Sequence, residues 1–150
     1  MATTEERWGI DLRLLDNLER QNDRNRANDL FIINSSNSLV DLETLSGGDN
    51  LKQALLLRFL TPVGEMAALG HLDYGSRLHE LIGELNSETN RNRAKIFVLQ
   101  ALGAEPRVKQ VRSVTVTQSK TNPTQIDISI TLLPIDSDTV LNLVFPFFLQ

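Results

Sequence analysis

Leu102-Gly103-Ala104-Glu105-Pro106-Arg107-Val108 is the stretch on which the fold turns, because a helical pattern stops there and a strand pattern starts. Gly103 is suited to end a helix with a left-handed residue. Pro106 pushes Glu105 out of the helical region and has no N–H of its own. The expected result is a rigid corner that displays a carboxylate and a guanidinium side by side. Neither helix nor strand formation requires a charged pair at this point. Glu105, Pro106 and Arg107 are therefore candidates for contact with a partner. The alternative, in which Glu105 and Arg107 satisfy local backbone groups, is equally compatible with the residues.

Upstream of the corner, residues 50–103 read as helical. Asp49 or Asn50 can cap a helix in which Leu51, Leu55 and Phe59 recur every four residues, and Thr61-Pro62 ends it. Val63 to Tyr74, with Gly64 and Gly70, is a connection. Ser76 can cap a second helix carrying Leu78, Leu81, Ile82 and Leu85 on one face. Ser87 can cap a third, with Ala94, Phe97, Val98, Ala101 and Leu102 facing inward.

Downstream the period changes to two. Ile126, Ile128, Ile130 and Leu132 alternate with Asp127, Ser129 and Thr131, the mark of a half-buried strand. Val114 and Val116 alternate in the strand before it, and Val108 and Val111 break that phase, which predicts a bulge. Ser119 to Gln125 and Pro134 to Thr139 are hairpin loops. In the last strand Leu141, Leu143, Phe145, Phe147 and Leu149 share one face, while Val140, Val144 and Phe148 sit on the other. An antiparallel strand with one solvated face is not expected to be apolar on both. Something must cover the second face, either this chain or another protein, and a C-terminal edge strand is suited to strand addition.

Residues 1–48 read as a partly extended arm, followed by a domain over 49–150. Trp8, Leu12, Leu15 and Phe31 are its candidate contacts with a neighbour, and the polar stretch Glu19 to Asp29, with Arg20, Arg24 and Arg26, reads as a linker or a segment ordered by a partner. The order is arm, helices, corner, meander. The expected architecture is α+β: three helices packed on a small antiparallel three-strand meander, with an extended N-terminal arm.

Bulk properties narrow the function. A chain of 150 residues can bury roughly 70% of its unfolded surface as one domain. The absence of cysteine removes thiol catalysis, disulfides and cysteine metal sites. A net charge of −4 argues against a general phosphate-binding surface, so no nucleic acid is expected. No apolar run reaches the ~20 residues of a membrane helix, and the N-terminus lacks a signal-peptide pattern, so the expectation is a cytoplasmic protein without direct membrane insertion.

Catalytic chemistry finds little footing. Glu65, Glu80, Glu84, Glu88 and Glu105 are scattered, and glycoside hydrolysis needs two carboxylates at a set separation. Glu80, Glu84 and Glu88 read more simply as a solvated helix face. His71 and His79 with Asp73 lack a third clear ligand for a metal. Asn90-Arg91-Asn92-Arg93 and Asn22-Asp23-Arg24-Asn25-Arg26 read as solvated or protein-facing arginines. No cofactor, metal or catalytic residue is expected, and the chain is not expected to be an enzyme.

The ordered series Leu60-Thr61-Pro62-x-Gly64-Glu65, Tyr74-Gly75-Ser76-Arg77-Leu78, Asn92-Arg93 and Glu105-Pro106-Arg107-Val108 resembles the baseplate W-type, or tail-lysozyme-like, family of contractile phage tails, over roughly residues 47–150. The resemblance implies a non-catalytic sheath initiator: a baseplate wedge component arranged in a six-fold ring in a phage tail or related contractile injection system. It implies docking of the wedge core-bundle proteins on Glu105, Pro106 and Arg107. It also implies a strand-exchange handshake with the sheath protein through Leu141, Leu143, Phe145, Phe147 and Leu149. The arm would reach neighbouring baseplate or tube-side subunits. A tail-associated peptidoglycan hydrolase and a regulatory adaptor of the same fold are the alternatives.

Overall fold

The computed structural model describes residues 4–15, 18, 30–34 and 39–149. The polar stretch 19–29 lies outside them. In chain order, a single helical turn α1 (Thr4–Arg7) precedes strands β1 (Ile10–Leu12), β2 (Ile32–Asn34), β3 (Val40–Leu42) and β4 (Thr44–Ser46). Two long helices follow, α2 (Gly47–Leu60) and α3 (Glu88–Gly103), and then β5 (Val108–Gln118), β6 (Gln125–Pro134) and β7 (Leu141–Phe148).

The last three strands form an antiparallel sheet in the order β5-β6-β7. Ile126, Ile128, Ile130 and Leu132 of β6 are buried against the helices, as are Leu143, Phe145 and Phe147 of β7. From α2 come Leu51, Leu55, Leu56 and Phe59, and from α3 Ala94, Phe97, Val98, Ala101 and Leu102. The Phe59 and Phe145 rings stack at 5.0 Å between centroids, a contact worth about 0.5–1.5 kcal/mol beyond the area buried. The phase break at Val108 and Val111 appears as two register shifts, between Val108 and Gln110 and between Val111 and Ser113.

The N-terminal segment builds sheets of its own. β1 pairs with β4 and β2 with β3, both antiparallel. Glu43, between β3 and β4, donates its N–H to Phe31 O at 2.8 Å and accepts at its own O from Arg13 N–H at 2.8 Å. The N–H and C=O of one strand residue point to the same side. β1 and β2 therefore lie end to end along one flank of a continuous run, residues 40–46. The Arg13 side chain reinforces the junction, reaching Glu43 at 2.8 Å and stacking over the Phe31 ring at 4.8 Å.

Two expectations are overturned. Among the described residues there are two long helices, not three, and three small sheets of two, two and three strands, not one meander with an extended arm. The segment proposed as the second helix, from Ser76 to Leu85, contains only a 3-10 turn at Leu78–Leu81. Gly83 interrupts it with φ +91°, so Leu78 and Leu81 are buried while Ile82 and Leu85 are exposed. Ser76 spends its hydroxyl on Phe59 O, donating at 2.7 Å.

The helix ends also differ from expectation. α2 begins at Gly47, and Asn50 donates its side-chain amide to Trp8 O instead of capping. α3 starts on Ser87, whose side chain accepts from Asn90 N–H as its residue type predicts. α3 ends without a left-handed residue: Gly103 stays in the helix and Ala104 follows at φ −87°, ψ −9°.

Candidate functional site

The corner after α3 is a buried ion triad. Glu105 is 4% exposed. Its Oε1 accepts from Arg107 Nε at 2.7 Å and its Oε2 from Arg58 Nη2 of α2 at 3.1 Å. Arg107 also donates from Nη1 to Trp8 O at 3.1 Å. Burial pushes the Glu105 carboxyl up. The hydrogen bond and charge of Arg107, with the charge of Arg58 behind them, outweigh burial and hold it below its ordinary value. Arg58 lies over the Tyr74 ring at 4.6 Å. Burial there pushes the Tyr74 hydroxyl up. The carboxylate is thus turned inward and not displayed. Pro106 is exposed and the Arg107 side chain keeps 25% of its surface, so those two residues form the outer face of the corner.

The second candidate, the last strand, divides by face. Leu143, Phe145, Phe147 and Leu149 are buried in this chain's own core and Leu141 packs against it. Their side chains are therefore not available to another protein. On the other face Val144 is 40% exposed. What β7 does present is its backbone edge. Leu149 N–H donates to Thr124 O at 2.9 Å, and Ser119 N–H donates to Gln125 O at 3.0 Å. With the register Ile126↔Phe147 to Leu132↔Leu141, alternation sends the main-chain groups of 141, 143, 145 and 147 toward β6. Those of Asn142, Val144, Pro146 and Phe148 point to the open side.

The arm residues are placed mostly within the chain. Trp8 is buried and donates its indole N–H to Ile135 O at 3.0 Å. Leu15 joins the core. Leu12 is half-buried, and Phe31 sits under Arg13. The residue that sequence reasoning missed is Gln53, buried in α2. Its Oε1 accepts from Leu14 N–H at 2.8 Å and Leu15 N–H at 3.1 Å, and its Nε2 donates to Leu12 O at 2.8 Å. A glutamine among the leucines of an amphipathic helix is the one signal that could have marked it.

The remaining candidates are not gathered into one site. Glu80 is clamped by Arg77 at 2.7 Å and 3.0 Å, and that hydrogen bond lowers its pKa. Arg91 donates to Asn86 and Arg93 to Asn90. His79 Nδ1 lies 3.1 Å from Ser76 O. Among the described residues no three of His, Asp and Glu are grouped to hold a metal ion. No helix among the described residues is long and apolar enough to cross a membrane.

No protein-family model matches this chain, and no curated protein matches it. Among solved structures, a protein from Geobacter sulfurreducens described as a tail lysozyme is similar, with a TM-score of 0.57 and 25% identity. The match covers 65% of this chain and 86% of the other. The chain thus has a phage-tail-like fold.

Proposed function

We propose that this chain is a structural baseplate component of a phage tail or related contractile injection system. In this reading it docks the wedge core bundle through Pro106 and Arg107, and it templates the first sheath ring by adding a sheath strand to the edge of β7. The carrying observation is that edge: the outward main-chain groups of Asn142 and Val144 have no partner among the described residues, in a fold that resembles a tail protein. Main-chain hydrogen bonds loaded in shear resist together, although each contributes only about 1 kcal/mol net. Partly buried ties from Arg107 to Trp8 and from Gln53 to the arm support the reading, since a component that carries load needs its segments fastened.

A hydrolytic reading draws on the description of the similar protein as a tail lysozyme. It requires a carboxylic acid held protonated near neutral pH. The pKa values of Glu105 and Glu80 are shifted the other way, which favours the structural reading.

The test is co-expression with sheath and wedge proteins. Val144→Pro removes one outward N–H and should block sheath growth while leaving the wedge formed. Arg107→Ala should weaken wedge docking. Normal assembly by both variants would remove the proposal, and peptidoglycan turnover lost on Glu105→Gln would favour the hydrolase.

A further inference from the structure

Two of this chain's other outward-facing strand N–H groups are plugged by the preceding side chain. In β1, Leu12 N–H donates to Asp11 Oδ1 at 2.8 Å, and in β3, Leu42 N–H donates to Asp41 Oδ1 at 2.8 Å. β7 is treated differently. Asn142 turns its side chain across the sheet, where Oδ1 accepts from Thr131 Oγ1–H at 2.9 Å. Its own edge and that of Val144 stay open. The next outward position is Pro146, paired with Asp127 in the register. Proline has no N–H to give and its ring fills the place where a donor would stand.

We infer that Pro146 makes this edge selective: it admits a short extended segment of a different protein over residues 141–145 and refuses a second copy of this chain. The exclusion follows from symmetry. Two copies pairing edge to edge must be antiparallel and two-fold related, so any mismatch occurs twice. If Val144 pairs with its own copy, Asn142 faces Pro146 on both sides. If Val144 pairs with Pro146, the defect again appears on both. Shifting the register to pair Asn142 with Val144 sets each Pro146 opposite Val140 of the other copy, so the defect still occurs twice. A foreign strand meets a single proline and can end before it, so Pro146 also sets how far that strand reaches. Open edges with a continuous row of donors invite self-pairing, and a proline on the edge is a known remedy.

The heterologous half of this inference rests on the sheath-strand reading above, and the self-exclusion half does not. The test uses the full purified chain. Pro146→Thr restores the N–H without adding an apolar group, and Pro146→Val provides a second strand-forming variant. Sedimentation across a concentration series should show both self-associating at concentrations roughly tenfold or more below any association of the wild type, since two donors per dimer are restored. Adding Val144→Pro to either should return it to wild-type behaviour. Self-association unchanged in both single variants overturns the inference. So does association that survives Val144→Pro, which would mark general stickiness. Association as expected, with no sheath recruited by the wild type, leaves the guard standing and removes the sheath reading instead.

Discussion

Arg107 and Trp8, 99 residues apart in sequence, are joined by a hydrogen bond from the Arg107 Nη1 to the Trp8 carbonyl at 3.1 Å. Asn50 donates to the same carbonyl at 3.1 Å, so the first turn, α2 and the corner meet at one main-chain oxygen. The corner is a latch that holds the N-terminal segment to the body, and only its outer face is left for a partner.

Glu105→Gln leaves Arg58 and Arg107 facing a neutral amide. Loss of one partner from a buried ion pair costs about 3 kcal/mol or more, and chemical denaturation should register that loss at neutral pH. The pKa of the native carboxyl is lowered from 4.5. A carboxyl lowered on folding contributes stability above its unfolded pKa, and that contribution disappears as pH falls through the folded value. Wild-type stability should therefore drop below about pH 4.5 in a step that the Gln variant lacks. Identical pH profiles would show that the triad does not couple to folding.

Gly75 and Gly103 should respond to alanine in opposite directions. Gly75 has φ +111°, and a Cβ there would lie 2.5 Å from Thr61 O. Backbone strain alone costs about 1–3 kcal/mol at such a site, so Gly75→Ala should unfold well below the wild type. Gly103 is helical with open space around it. Gly103→Ala should raise the unfolding free energy by about 0.5–1 kcal/mol.

Gln53→Leu strips three hydrogen bonds from the backbone of residues 12–15. Each buried group left without a partner costs about 1–3 kcal/mol. Hydrogen exchange should report early opening of this segment, ahead of β5-β6-β7. Uniform exchange across the chain would mean the arm and body unfold as one.

Phe145→Ala should cost about 3–5 kcal/mol, the loss of a large buried ring, because Phe145 is fully buried and stacked on Phe59. Any assembly defect of this variant would then follow from lost stability. A variant that stays as stable as wild type in thermal melting, yet fails to recruit a sheath strand, would show that this side chain reaches outward after all.

Local chemistry made much of the body legible. Ser87 before the third apolar repeat, and strict alternation from Ile126 to Leu132, appear in the structure where the pattern puts them. The Ser76–Leu85 reading failed because four apolar residues at helical spacing outvoted Gly83, whose left-handed φ breaks the run. β1, β3 and β4 were missed because three-residue strands hold too few positions to show a period, and their pairing partners are up to 36 residues away. At the corner, sequence gave the charged pair but not Arg58, whose distance along the chain hid the second cation that draws Glu105 inward. In β7 the two apolar faces were visible, whereas the edge depends on hydrogen-bond phase, which no residue type reports.

Glu43 gives its N–H to one stretch of chain and its C=O to another, so the strand opposite it is spelled by two pieces of sequence, ending at Arg13 and resuming at Phe31. Whatever lies between those two residues enters and leaves the ribbon at the same rung. With Leu15 and Leu18 anchored in the core, residues inserted between positions 18 and 30 shift no pair on either side, at a closure cost that grows only logarithmically. The seam is also a natural place to graft a foreign loop or a label onto this protein.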